Sequence, residues 1–179
     1  MSELVPFGHE QAWLAVRGQP QTVVVEALGL TGGRVVEVDE AVREALGSAT
    51  AVLPPIPGAG SRWTLVVGED VARPSAARIT TLSAMLGTGV QLFHRAEDGS
   101  RRCLLVERGA VWREVEAAED DLPGVAGEWS IDPTSLSGPA PGPALLVGAL
   151  RSEPPTPDTE PGLVELPPRG GFWGRILGR

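Results

Sequence analysis

Along the first two thirds of the chain, apolar residues come in short runs or at helical spacing, and most runs are closed by a glycine or a proline. "AWLAVRG" (12–18) has the continuous apolar character of a buried strand. In "QPQTVVVEALG", Pro20 suits a first helical turn and Gly29 a helix terminus, so a helix is predicted although valines 23–25 favour sheet. "RVVEV" (34–38) alternates as a strand does. "DEAVREALG" then offers Asp39 as N-cap, an apolar face from Ala41, Val42, Ala45 and Leu46, and Gly47 as the stop. In "AVLPPIPGAGSRW" (51–63), Pro54, Pro55 and Pro57 cannot donate to a central ladder, which predicts a sheet edge or an extended loop before the strand "WTLVVGED". "PSAARITTLSAMLG" (74–87) predicts a third helix, with Ser75 as N-cap, Ile79, Leu82, Met85 and Leu86 on its buried face and Gly87 as terminator.

The next segment, "VQLFHRAEDGSRRCLLVERGAVWREVEAAEDD", holds three strand-like runs with turns at Asp98-Gly99 and Arg108-Gly109, so a β-meander is expected. Alternation puts Val90, Leu92 and His94 on one face and Gln91, Phe93 and Arg95 on the other. In "EWSIDPTSL" (128–136), Asp132-Pro133 fits the cap and first turn of a brief helix or a fixed turn, and Trp129 fits a plug at the edge of the core. Leu145, Leu146, Val147 and Leu150 complete the domain as a last strand or helical turn. The order β-α-β-α-β-β-α-β-β-β predicts an α+β fold, with about three helices packed on one face of a mostly antiparallel, mixed sheet. The other face is expected to be partly exposed and open to a partner.

Charge and composition narrow the function. At 179 residues the chain accommodates one domain, residues 1–150, and an appendage. All 15 of its basic residues are arginine, a bias associated with GC-rich bacterial genomes, and its formal charge is −8. That field argues against nucleic acid as a partner. One cysteine, Cys103, closes no intramolecular disulfide, and "MSELVPFGHEQAW" lacks the basic flank and apolar run of a signal peptide, so a cytoplasmic protein is expected. "AWLAVRG" with "ALGL", "RWTLVVGED", "LFHRAEDG" and "GEWSIDPTSL" resemble the order of segments in a family of small uncharacterised proteins from GC-rich bacteria, over roughly residues 12–136. The resemblance implies a compact bacterial domain and carries no functional residue across.

Candidate chemistry is sparse. His94 and Cys103 fall on consecutive strands across the 98–100 turn and would be a Cys-His pair if they faced one another, but a lone strand cysteine is more often a small buried hydrophobe. His9, His94 and Cys103 lie in unrelated contexts and do not suggest a metal site, and no cofactor is expected. The acidic run "EVEAAEDD" (114–121) lacks the spaced oxygens and glycine of a calcium loop and reads as a solvated strand end. "GAGSRW" (58–63) has neither a P-loop ending nor a dinucleotide fingerprint, and reads as a loop. Neither Gly-x-Ser-x-Gly nor His-Glu-x-x-His occurs.

The tail is different in character. Residues 152–168 hold six prolines, so 151–168 read as a proline-rich linker, ahead of "RGGFWGRILGR" (169–179). On a helix, Phe172, Trp173, Ile176 and Leu177 share one face, while Arg175 and Arg179 fall on the other. So short a peptide needs a surface to order it. Three surfaces remain open: its own domain, another protein's groove with Trp173 as anchor, or a membrane, for which one amphipathic turn is marginal. Residues 1–150 carry 19 acids and 11 arginines, net −8, whereas residues 151–179 carry four of each. The expectation is a noncatalytic adaptor that attaches to a protein partner through the terminal peptide. The alternative is an immunity-type inhibitor whose acidic domain covers a basic toxin or enzyme. An enzyme would need a polar pocket around His94 or elsewhere.

Overall fold

The computed structural model describes residues 2–8, 12–68, 71, 76–95, 100–117 and 122–148. The fold is α+β, built on one sheet whose described pairings are all antiparallel. In chain order the elements are β1 (Trp13–Arg17), α1 (Gln21–Ala27), β2 (Arg34–Val36), α2 (Val38–Ala45), β3 (Thr50–Val52), β4 (Ile56–Gly58) and β5 (Ser61–Val67). Then come α3 (Ala76–Leu86), β6 (Gly89–Arg95), β7 (Arg101–Glu107), β8 (Ala110–Ala117), α4 (Leu122–Trp129), a 3₁₀ turn at Pro133–Ser135 and β9 (Ala144–Val147). The sheet order is β2-β9-β3-β5-β1-β6-β7-β8, with β4 paired to β5 alone. Among the described residues no helix is long and apolar enough to cross a membrane.

The helices divide between the two faces of the sheet instead of sharing one. The reason lies in β1, where Trp13 and Ala15 join one apolar cluster while Leu14 and Val16 join another. Successive residues of a strand point to opposite faces, so a strand apolar at every position needs cover on both. On the first face α2 contributes Val38, Ala41, Val42 and Ala45, and α4 contributes Ala126. On the second, α1 contributes Val24, and α3 contributes Ile79 and Leu82.

Local signals fared unevenly. α2 begins at Val38, with Glu37 in the cap position and making no side-chain cap bond. Asp39 therefore lies inside the first turn, beside Glu40, where a carboxylate suits the positive end of the helix dipole. The missing cap comes from far upstream: the Val38 N–H donates to Ser2 Oγ at 2.6 Å. Leu46, expected on the buried face, is exposed at the C-cap. In α3, Ile79 and Leu82 are buried as expected, whereas Met85 is 64% exposed. Its Ser83 is buried instead, donating to the Thr88 carbonyl at 2.6 Å and accepting from the Gly109 N–H at 3.2 Å. Gly109 sits in the β7–β8 turn, where Arg108 and Gly109 both adopt positive φ, 48° and 83°. Ser75, Asp98, Gly99 and Leu150 lie outside the described residues.

Pro54 and Pro55 separate β3 from β4, two short strands that follow one another along the same side of β5. Pro57 lies within β4, off the main strand order, where a missing N–H is tolerated. Asp132 caps the 3₁₀ turn by accepting from the Thr134 N–H at 2.8 Å. The final apolar segment forms β9, which inserts between β2 and β3. At the β4–β5 turn, a Cβ on Gly58 would lie 2.3 Å from the Ser130 carbonyl oxygen and 2.8 Å from Trp63 Cδ1. Gly58→Ala is thus expected to lower stability by about 1–3 kcal/mol in urea unfolding, the usual cost of overpacking.

Candidate functional site

On the first face of the sheet, a cleft of about 350 Å³ lies between Arg17, Leu105, Glu107, Trp112, Glu128 and Trp129. Alternation carries Arg17 onto the same face as Trp13 and Ala15, at the point where β1 runs out of core. There its guanidinium lies 5.9 Å from the centroid of the buried Trp63 ring and forms an ion pair with Glu107. Gly89 leaves room for that pair: a Cβ there would be 2.9 Å from Glu107 Oε2 and 3.2 Å from Arg17 Cζ. Both partners are about one-third exposed, so the pair orients the floor of the cleft more than it stabilises the fold.

The wall of the cleft comes from α4 and β8. Trp129 packs against the first core cluster, while Trp112 is 66% exposed, and their rings meet nearly edge to face at 6.5 Å. The Arg113 guanidinium lies 4.6 Å from the Trp129 ring centroid, within cation–π range. A buried polar relay fixes α4 to the sheet. Ser130, just past the helix, donates from its hydroxyl to Gln91 Oε1, and Gln91 Nε2 is 2.8 Å from Cys103 Sγ. All three residues are buried, so breaking the relay would leave an unsatisfied polar group in the core.

Register separates the two residues considered for nucleophilic chemistry. His94 pairs with Arg102, whereas Cys103 pairs with Phe93, so the imidazole and the thiol belong to opposite faces. Burial raises the Cys103 pKa from 9.0 to about 11, against the lowering effects of the Gln91 hydrogen bond and the Arg113 charge. A thiol held protonated at neutral pH is a poor nucleophile. Among the described residues no group of three or more His, Cys, Asp and Glu is placed to hold a metal ion.

The stretch 58–63 forms a tight hairpin between β4 and β5 in place of a loop. In the acidic run, Glu114 and Glu116 are exposed on β8, and Glu116 lies 3.4 Å from Arg102. Residues 118–121 and His9 lie outside the described residues, as do the linker 151–168 and the tail residues Phe172, Trp173, Arg175, Ile176, Leu177 and Arg179. Trp112 was not singled out by pattern. Trp112 is itself the extra residue of a register shift, between Arg113 opposite Leu105 and Val111 opposite Val106, so strand alternation does not place it. No protein-family model, curated protein or solved structure matches the chain.

The cleft is open to solvent, aromatic and lined by both signs of charge. Cys103 gives the site's foundation a pH signature. Its folded pKa lies above its unfolded value, so the stability it contributes is complete below about pH 9 and is lost as pH rises through 11. The chain has no lysine and no tyrosine, so no other side chain titrates in that window. Unfolding free energy should fall by roughly 2–3 kcal/mol between pH 9 and 11. In Cys103→Ala, that slope should vanish from denaturant melts.

Proposed function

We propose that the chain is a noncatalytic bacterial binding or adaptor protein that attaches to a larger assembly or partner through its terminal peptide. The contact residues on this reading are Phe172, Trp173, Arg175, Ile176, Leu177 and Arg179. The observation that most supports it is the exposed Trp112 ring, edge to face with Trp129 beside the Arg17–Glu107 pair. Tryptophan and arginine carry a large share of binding energy at protein interfaces, and a ring this exposed offers area that a partner can cover. An adaptor needs two contacts, and the cleft is a domain-borne one beside the peptide-borne one. Joining them through a proline-rich tether makes the second contact intramolecular once the first has formed, raising its effective concentration.

Capture from native cell extract tests this, using the intact chain, Trp173→Ala and Trp112→Ala. A partner attached through the tail should bind Trp173→Ala at least about thirtyfold more weakly, the loss expected for an interface hot spot. Trp112→Ala should weaken the same partner without abolishing it. Full retention by Trp173→Ala together with loss from Trp112→Ala would place attachment on the acidic domain. That outcome contradicts the adaptor reading and favours an immunity-type inhibitor.

A further inference from the structure

A second concavity lies on the opposite face, between α1 and α3. It measures about 150 Å³, and its lining includes Ala27, Leu28, Ile79, Leu82 and Met85, with Arg78 among the polar residues. An apolar cavity of about this volume accepts a benzene-sized ring. Met85 gives it a soft, adaptable lip, and methionine sulfur makes favourable contacts with aromatic rings. Helical spacing puts Met85 on the apolar face of α3, yet it is 64% exposed, so a large apolar side chain stands here without cover from the described residues.

The path of the chain indicates what covers it. Val147, at the end of β9, belongs to the same core cluster as Leu28 and Leu30, which follow α1. A Cβ on Gly33 would lie 3.1 Å from Val147 Cγ1, so β9 ends against the loop that leaves α1. The five residue steps from Leu28 to Gly33 span at most about 18 Å. Gly148 therefore lies beside the loop that follows α1, on the α1 side of the groove. Residues 149–171 would cover roughly 25 Å as a flexible coil and roughly 70 Å as polyproline II, either of which reaches it. The tryptophan cleft is within the same reach, but its lining includes the charged Arg17, Glu107 and Glu128, whereas the groove's lining is mostly apolar.

We propose that the α1–α3 groove is the docking surface for this chain's own terminal peptide, residues 169–179, with the Trp173 indole seated between Leu28, Ile79 and Met85. Arg78 at the rim supplies a cation for the face of the indole. A tether of this length holds the peptide at an effective concentration in the millimolar range, so even a weak ligand fills the groove. The proposal rests on the reading of the tail as an aromatic docking ligand, and it adds that a partner must displace the peptide from its own domain.

The two methionines, Met1 and Met85, make the test direct. In the intact chain labelled with ¹³C-methyl methionine, the Met85 methyl resonance should be shifted upfield by the indole ring current. Trp173→Ala should remove the shift, Phe172→Ala should leave most of it, and dilution should not change it. A Met85 signal identical in the intact chain and Trp173→Ala would overturn the proposal. A shift that fades on dilution would also overturn it, since the peptide would then come from a second copy. Purified protein alone is used, so failure here leaves the adaptor reading intact if Trp173→Ala still loses its partner. A clear shift without partner loss would instead sink the adaptor reading alone.

Discussion

Insertion of β9 between β2 and β3 is the constraint on which the remaining architecture depends. Among the described residues β2 has no other strand partner, and the register of Arg34, Val35 and Val36 with Leu146, Leu145 and Ala144 is what joins it to the sheet. The contact spans more than a hundred positions of sequence, so its loop-closure cost must be met before the sheet can be completed. What offsets that cost is burial on both faces, since Ala144 and Leu146 enter the first apolar cluster and Val147 enters the second. The same insertion fixes the position of Val147, against Gly33 in the loop that follows α1.

From that strand outward, the two faces take different roles. The first face is rigid at its centre, where Trp13 stacks on Phe93 with centroids 5.5 Å apart and planes 9° from parallel. It becomes polar at its rim, where Arg17, Glu107, Arg113 and two tryptophans gather around an open cleft. The Ser130–Gln91–Cys103 relay joins these regions, because it ties the end of α4 to β6 and β7 and so holds Trp129 where Trp112 can meet it. The second face has an apolar centre and carries the α1–α3 groove. One surface offers charge and aromatic edges, and the other offers a seat for a single ring.

Much of the fold was legible because it is written locally. The buried run of β1, the Arg108-Gly109 turn, the Asp132 cap and the termination of α3 at Gly87, with φ of +62°, each follow from a few neighbouring residues. What escaped depends on residues far apart in sequence. The cap of α2 comes from Ser2, the ion pair of the cleft joins Arg17 to Glu107, and Gln91 finds its partner in Ser130. Met85 escaped for a different reason. Its spacing assigns it to a helical face, but the burial of that position depends on whether another segment arrives to cover it. The tail's chemistry is legible in the sequence, whereas the α1–α3 groove forms only where two helices distant in sequence meet.

These features converge on one central claim, that the chain carries both an aromatic peptide and a surface shaped to receive one. The most direct measurement is fluorescence anisotropy of a labelled peptide of residues 169–179, titrated with the full chain bearing Phe172→Ala and Trp173→Ala so that its own tail is disarmed. The expected result is saturable one-to-one binding that Met85→Glu abolishes and Trp112→Ala leaves unchanged. Absence of binding, or binding that depends on Trp112 and not on Met85, would contradict the claim.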